Sequence, residues 1–128
     1  MNRPQQISLV VTSHTATLAQ LAPALGESAL KHHAVGTHRA NGLIRQQSVW
    51  FGHWSADAGE IEDLLEKVLE WLSERKSAVI AVDPSAYLKI VCTPADGGLV
   101  VAPSTAAKLA ELGVLLLVEG TGPAVGEA

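Results

Sequence analysis

Apolar residues recur at helical spacing over one long stretch, residues 57–76, DAGEIEDLLEKVLEWLSERK. At about 100° per residue, Ile61, Leu65, Val68 and Leu72 share a narrow stripe, with Leu64, Leu69 and Trp71 on its flanks. Glu62, Asp63, Glu66, Lys67, Glu70, Ser73 and Glu74 fill the opposite arc. The spacing predicts an amphipathic helix whose stripe must be buried against the rest of the chain. Asp57 followed three positions later by Glu60 reads as a capping box. Arg75-Lys76 at the far end suits the negative pole of the helix dipole.

Elsewhere the pattern shortens. Residues 7–12 form a β-branched-rich run that predicts an interior strand. Thr15 or Thr17 can cap a helix in which Leu18, Leu21 and Leu25 share a face, shortened or kinked by Pro23 and ending at Gly26. Asn41-Gly42 is the strongest two-residue hairpin signal, because a type I′ turn needs positive φ at both positions. That turn would set Ala40 opposite Leu43, Val35 opposite Ser48, His33 opposite Trp50 and His32 opposite Phe51. Neither face of such a hairpin is polar, so the pattern does not say which one a helix covers. Beyond the long helix, residues 78–82, 87–93, 99–102 and 114–118 read as strands. Ser104 caps a helix that buries Leu109 and Leu112 and stops at Gly113.

The order β-α-β-β-α-β-β-β-α-β predicts an α+β fold: a mostly antiparallel sheet with helices packed on one face. Its opening β-α-β-β-α-β has the sequence of a ferredoxin-like split unit. The 128 residues suit one domain with a single core, 1–5 and 120–128 being loose termini. With a net charge of −4 and no Lys/Arg cluster beyond two adjacent residues, nucleic acid and anionic membranes are poor partners. One cysteine excludes an internal disulfide and any multi-Cys zinc site. The opening residues lack the pattern of a signal peptide and no apolar run is long enough to span a bilayer. The expected location is the cytoplasm.

Leu21 to Gly26, a hairpin region ending in Val49-Trp50, the helix from Ile61 to Leu72, Gly97-Gly98-Leu99, and Ser104 to Val114 follow one another at characteristic distances. Together they resemble the bacterial family known as domain of unknown function 4279, over roughly residues 7–120. The resemblance rests on apolar and turn positions. It implies no catalytic residues and no cofactor, and suggests an immunity-protein-like role in neutralising a toxin.

Candidate chemistry is sparse. Histidines stand at 14, 32, 33, 38 and 53. Zinc wants three or four converging ligands, but His32 and His33 point to opposite faces of a strand, and no carboxylate is close to them in sequence. Cys92 sits beside Ile90 in an apolar run, where a cysteine behaves as a small hydrophobe. Ser13-His14 are adjacent, yet nucleophile and base are brought together by folding, not by adjacency. Asp83 and Asp96 occupy turns, where aspartate caps the backbone. The densest aromatic patch is Trp50, Phe51 and Trp54 around His53. Packing beneath a helix is one role for these rings. The other is recognition, since tryptophan is enriched at binding hot spots. Residues His33, Trp50, His53 and Trp54 are therefore the candidate partner or ligand surface. The expected function is non-enzymatic protein binding, to a partner or to a second copy, without a cofactor. A small-ligand or metal-binding module is the alternative.

Overall fold

The structure is a computed structural model and describes residues 5–28, 47–56, 59–95 and 98–119. Strands β1 (Gln5–Ser13), β2 (Ser48–Ala56), β3 (Tyr87–Thr93) and β4 (Val114–Val118) form a sheet in the order β2-β1-β3-β4. Both β2 and β3 run antiparallel to the central β1, so they are parallel to each other with β1 inserted between them. The chain crosses from β2 to β3 through α2 (Ile61–Ser73) and α3 (Lys76–Val82), which makes a split βαβ unit. Helix α1 (Leu18–Leu25) follows β1, and α4 (Pro103–Leu112) carries the chain from β3 to β4. A helical crossover returns a strand in the same direction, and β3 and β4 pair parallel. The α+β class holds; two of the three strand pairings are antiparallel, and the parallel β3–β4 pair makes the sheet mixed.

The core lies between the helices and one sheet face. Along β1 the buried residues are Ile7, Leu9, Val11 and Ser13, every second position. Register places Trp54, Gly52, Trp50 and Ser48 beside them on β2, and Cys92, Ile90 and Leu88 on β3. Onto this face α2 lays Ile61, Leu65, Val68, Leu69 and Leu72, each at most 4% exposed. The predicted stripe is therefore the helix's buried side. Removing each such side chain from water is worth about 1.5–3 kcal/mol, far more than any cap on this helix.

Local signals set α1 as its sequence predicts. Thr17 accepts from the Gln20 N–H at 3.2 Å while Gln20 Oε1 accepts from the Thr17 N–H at 2.7 Å, a reciprocal capping box. The helix stops two residues after Pro23, with Gly26 at φ 87°. Gly113 at φ 67° likewise closes α4 in the left-handed region, where a Cβ is strained.

Four expectations need correction. Residues 78–82 belong to α3, not to a strand. The run Ala-Val-Ile-Ala-Val fits either period over so few residues, and the Arg75 carbonyl accepting from Val79 N–H locks the helix. Val79 and Val82, three apart, then face the core while Ile80 is 43% exposed. Residues 99–102 form no strand: β4 already occupies the edge of β3, Val100 is 77% exposed, and its N–H donates to Glu62 at 2.9 Å. Helix α2 begins at Ile61 with Glu60 in the cap position and no side-chain cap; Asp57 lies outside the described residues. Helix α4 takes Ala102 as its cap and Pro103 in its first turn, which places Ser104 inside the helix. The Asn41-Gly42 hairpin and its register, including His32, His33 and His38, also lie outside the described residues.

Candidate functional site

Every second strand residue turns away from the helices. Across the sheet these residues form rows fixed by the register: Val49, Thr12, Tyr87; then Phe51, Val10, Lys89, Leu115; then His53, Ser8, Val91, Leu117. None of the apolar members of these rows packs against the core cluster. Tyr87 is 50%, Leu115 51% and Leu117 41% exposed, large values for apolar side chains in strands. Among the described residues no helix covers this face, because the buried residues of α1, α2, α3 and α4 all join the core cluster on the other side. Its central rows carry Lys89 and His53 and no carboxylate, in a chain whose net charge is −4. His53 Nδ1 lies 3.4 Å from the Ser8 hydroxyl across the strand pair.

The candidate surface read from sequence is divided between the two faces. Trp50, 3% exposed, belongs to the core, and Trp54 packs beside it. The Trp50 and Trp71 rings stack at 6.0 Å, Trp54 meets Trp71 edge-on at 5.2 Å, and the Arg75 guanidinium lies 4.2 Å from the Trp71 ring centre. Trp50 Nε1–H donates to the Gly26 carbonyl at 2.9 Å. These tryptophans hold β2 to α2. His53 faces the opposite way with Phe51, and His33 is outside the described residues. Of that aromatic patch Phe51 reaches the open face; only the parity of the strand separates it from the tryptophans.

At one end of the sheet the end of β1, the start of β2 and the turn before β3 share a buried polar network. The Ser13 hydroxyl donates to Asp83 Oδ2 at 2.6 Å and accepts from the Ala16 N–H at 2.9 Å, while Ser85 N–H donates to Asp83 Oδ1 at 2.9 Å. The Ser48 hydroxyl donates to the Ala16 carbonyl at 2.6 Å. With its proton on Asp83 and its oxygen accepting from the backbone, Ser13 is a turn-former, not a nucleophile aimed at the exposed His14. The Ser13 hydroxyl above all, then the Ser85 N–H, holds the Asp83 carboxyl below the usual carboxylate range. A depressed folded pKa gives stability that is present above the unfolded value of about 3.9 and lost as pH falls through the folded one. Wild type is therefore expected to lose its advantage over Asp83→Asn as pH drops below about 4. Denaturant titrations of both at pH 7 and near pH 2.5 measure it, and a constant difference would overturn this role for Asp83.

Burial, with Glu62 adding to it, pushes the Cys92 thiol up to about 12, so almost no thiolate exists at neutral pH. Among the described residues no three of His, Cys, Asp and Glu converge on a metal-sized position. No helix of the described residues is long and apolar enough to cross a membrane. Between α2 and α4 a cleft of about 330 Å³ is lined by Glu66, Glu70 and Glu111 with Lys67 and Lys108. There Lys108 pairs with Glu66 at 2.6 Å.

The site that remains is a sheet face of a small α+β protein, largely apolar with Lys89 on an inner strand, turned away from the described helices. Comparison with family models, with curated proteins and with solved structures finds no match to this chain.

Proposed function

We propose that this is a non-enzymatic protein-binding module of the bacterial cytoplasm that works through the open face of its sheet. The rows Phe51-Val10-Lys89-Leu115 and His53-Ser8-Val91-Leu117, which no described helix covers, carry the reading. Apolar residues gathered on one surface favour a contact that removes them from water. Lys89, on the inner strand β3, selects a partner surface that is apolar and bears carboxylates, since complementary charge orients a complex and suppresses wrong partners. A ferredoxin-like arrangement of the opening elements belongs to the same proposal. It is supported by β1 standing between two antiparallel neighbours joined by a helical crossover. Kinship with the family of domain of unknown function 4279, and an immunity-like task, are further parts of the proposal.

The test places a photo-reactive benzoylphenylalanine at position 51 and, as control, at Lys67 on the exposed arc of α2, in cells producing the protein. One discrete adduct from position 51, absent from position 67 and reduced at least about fivefold by Lys89→Glu, is expected if charge complementarity contributes about 1 kcal/mol. No adduct at 51, or the same ladder from both positions, would overturn the reading.

A further inference from the structure

Of the two sheet edges, that of β2 is met by the chain leaving α1: the Ser28 hydroxyl accepts from the Phe51 N–H at 2.9 Å. The other edge, β4, is different. Its sequence is Val114-Leu115-Leu116-Leu117-Val118, five apolar residues with no charge, proline or bulge. Those are the devices by which edge strands normally avoid pairing with another chain. Leu115, Leu117 and Val118 are 51%, 41% and 42% exposed.

Its backbone polarity can be read from the ladder. Cys92 pairs with Val118, and the Cys92 carbonyl accepts from the Glu119 N–H at 2.8 Å. In a parallel ladder the residue directly opposite turns its own N–H and C=O the other way, and this alternates along the strand. Val114, Leu116 and Val118 therefore point their backbone groups outward, where no described residue bonds them. An unpaired row of this kind is a template for another strand.

We propose that β4 pairs antiparallel with β4 of a second copy of this chain, about a two-fold axis at Leu116, joining the two sheets edge to edge. The sequence of the strand argues for a second copy over a foreign peptide. It reads the same in both directions, as a two-fold contact requires of a strand that must complement itself. With Leu116 on the axis, Val114 opposes Val118 of the second copy and Leu115 opposes its Leu117. All three outward-facing residues then fall in hydrogen-bonded pairs, each exchanging both bonds. The register also keeps the faces in phase. Val114, Leu116 and Val118 extend the helix-covered side, while Leu115 and Leu117 extend the open one. Glu119 meets Gly113 across the axis instead of another carboxylate. A slip by one residue would turn inward-bonded groups to the partner and lose the match.

A contact built on five residues is at the small end of specific interfaces, below about 1,200 Å² in total, so the dimer is weak and concentration-dependent. It would double the open face and present two copies of it side by side, although the pairing does not depend on what that face binds.

The experiment is sedimentation velocity of the full chain from micromolar to near-millimolar concentration, with circular dichroism to verify each variant's fold. Wild type is expected to pass from monomer to dimer. Leu115→Lys/Leu117→Lys sets like charges opposite each other and should raise the dissociation constant at least about tenfold. Leu115→Lys/Leu117→Glu sets Lys opposite Glu of the second copy and should restore the dimer, which a merely nonspecific apolar contact would not do. Val118→Pro removes only an outward N–H and should also dissociate it. A monomer at all concentrations overturns the pairing, including the case in which residues 120–128 take the edge themselves. So does a dimer that survives Val118→Pro, or one abolished by Phe51→Glu alone. A monomeric wild type leaves the open-face proposal standing, and failure of the position-51 cross-link leaves the dimer standing.

Discussion

Leu65→Ala and Leu72→Ala should each lower the free energy of unfolding by about 2–5 kcal/mol, out of about 5–15 kcal/mol for a domain of this kind. Both side chains are at most 1% exposed and lie on the stripe that α2 presents to β1 and β2. Truncation removes the transfer free energy of the lost methyl groups and leaves a void. Sheet and helix relax around it only in part. Lys67→Ala, on the exposed arc of the same helix, should stay within about 0.5 kcal/mol. Chemical denaturation of the three variants decides the matter. Losses below about 1 kcal/mol at both leucines would mean that α2 is not the buried element it is taken to be.

Gly52→Ala should destabilise by about 1–3 kcal/mol, against the usual direction for a glycine in a strand. An alanine there would normally help, because glycine is a poor strand residue and the propensity scale spans about 1 kcal/mol. Here a Cβ would stand 2.6 Å from Trp50 Cη2, 2.7 Å from its Cζ3 and 3.1 Å from Trp54 Cη2. Two of those atoms are closer than any relaxed contact, and the ring that owns them cannot step aside. Trp50 is buried, stacked on Trp71 and tied through Nε1 to Gly26. Overpacking therefore outweighs propensity. The near-UV circular dichroism of the tryptophans should change together with the denaturation midpoint. An unchanged or raised midpoint would show that the Trp50, Trp54 and Trp71 cluster yields more easily than its contacts imply.

What the sequence determined by itself is what depends on neighbouring residues. The stripe from Ile61 to Leu72, the cap at Thr17 (one of the two threonines the sequence offers) and the glycine stops at Gly26 and Gly113 are written within a few turns of chain. Each appears where local spacing places it. The strands over residues 7–12, 87–93 and 114–118 are legible for the same reason, since β-branched and apolar runs bounded by turn residues are local. Tertiary structure decided the rest. Residues 78–82 suit a strand or a helix equally, and the chain became helical there because it continues from the turn after α2 while the edges of β1 and β3 are taken by β2 and β4.

The candidate site shows the same division more sharply. Sequence marks residues 50–54 as an aromatic patch, but which side of β2 meets the helices depends on its register with β1, a contact between distant parts of the chain. That register sends Trp50 and Trp54 into the core and Phe51 and His53 outward. Val10, Val91, Leu115 and Leu117 look like core residues by type. They form a surface only because the described helices lie on one side of the sheet, and a helix stripe does not record which of two apolar strand faces it will cover.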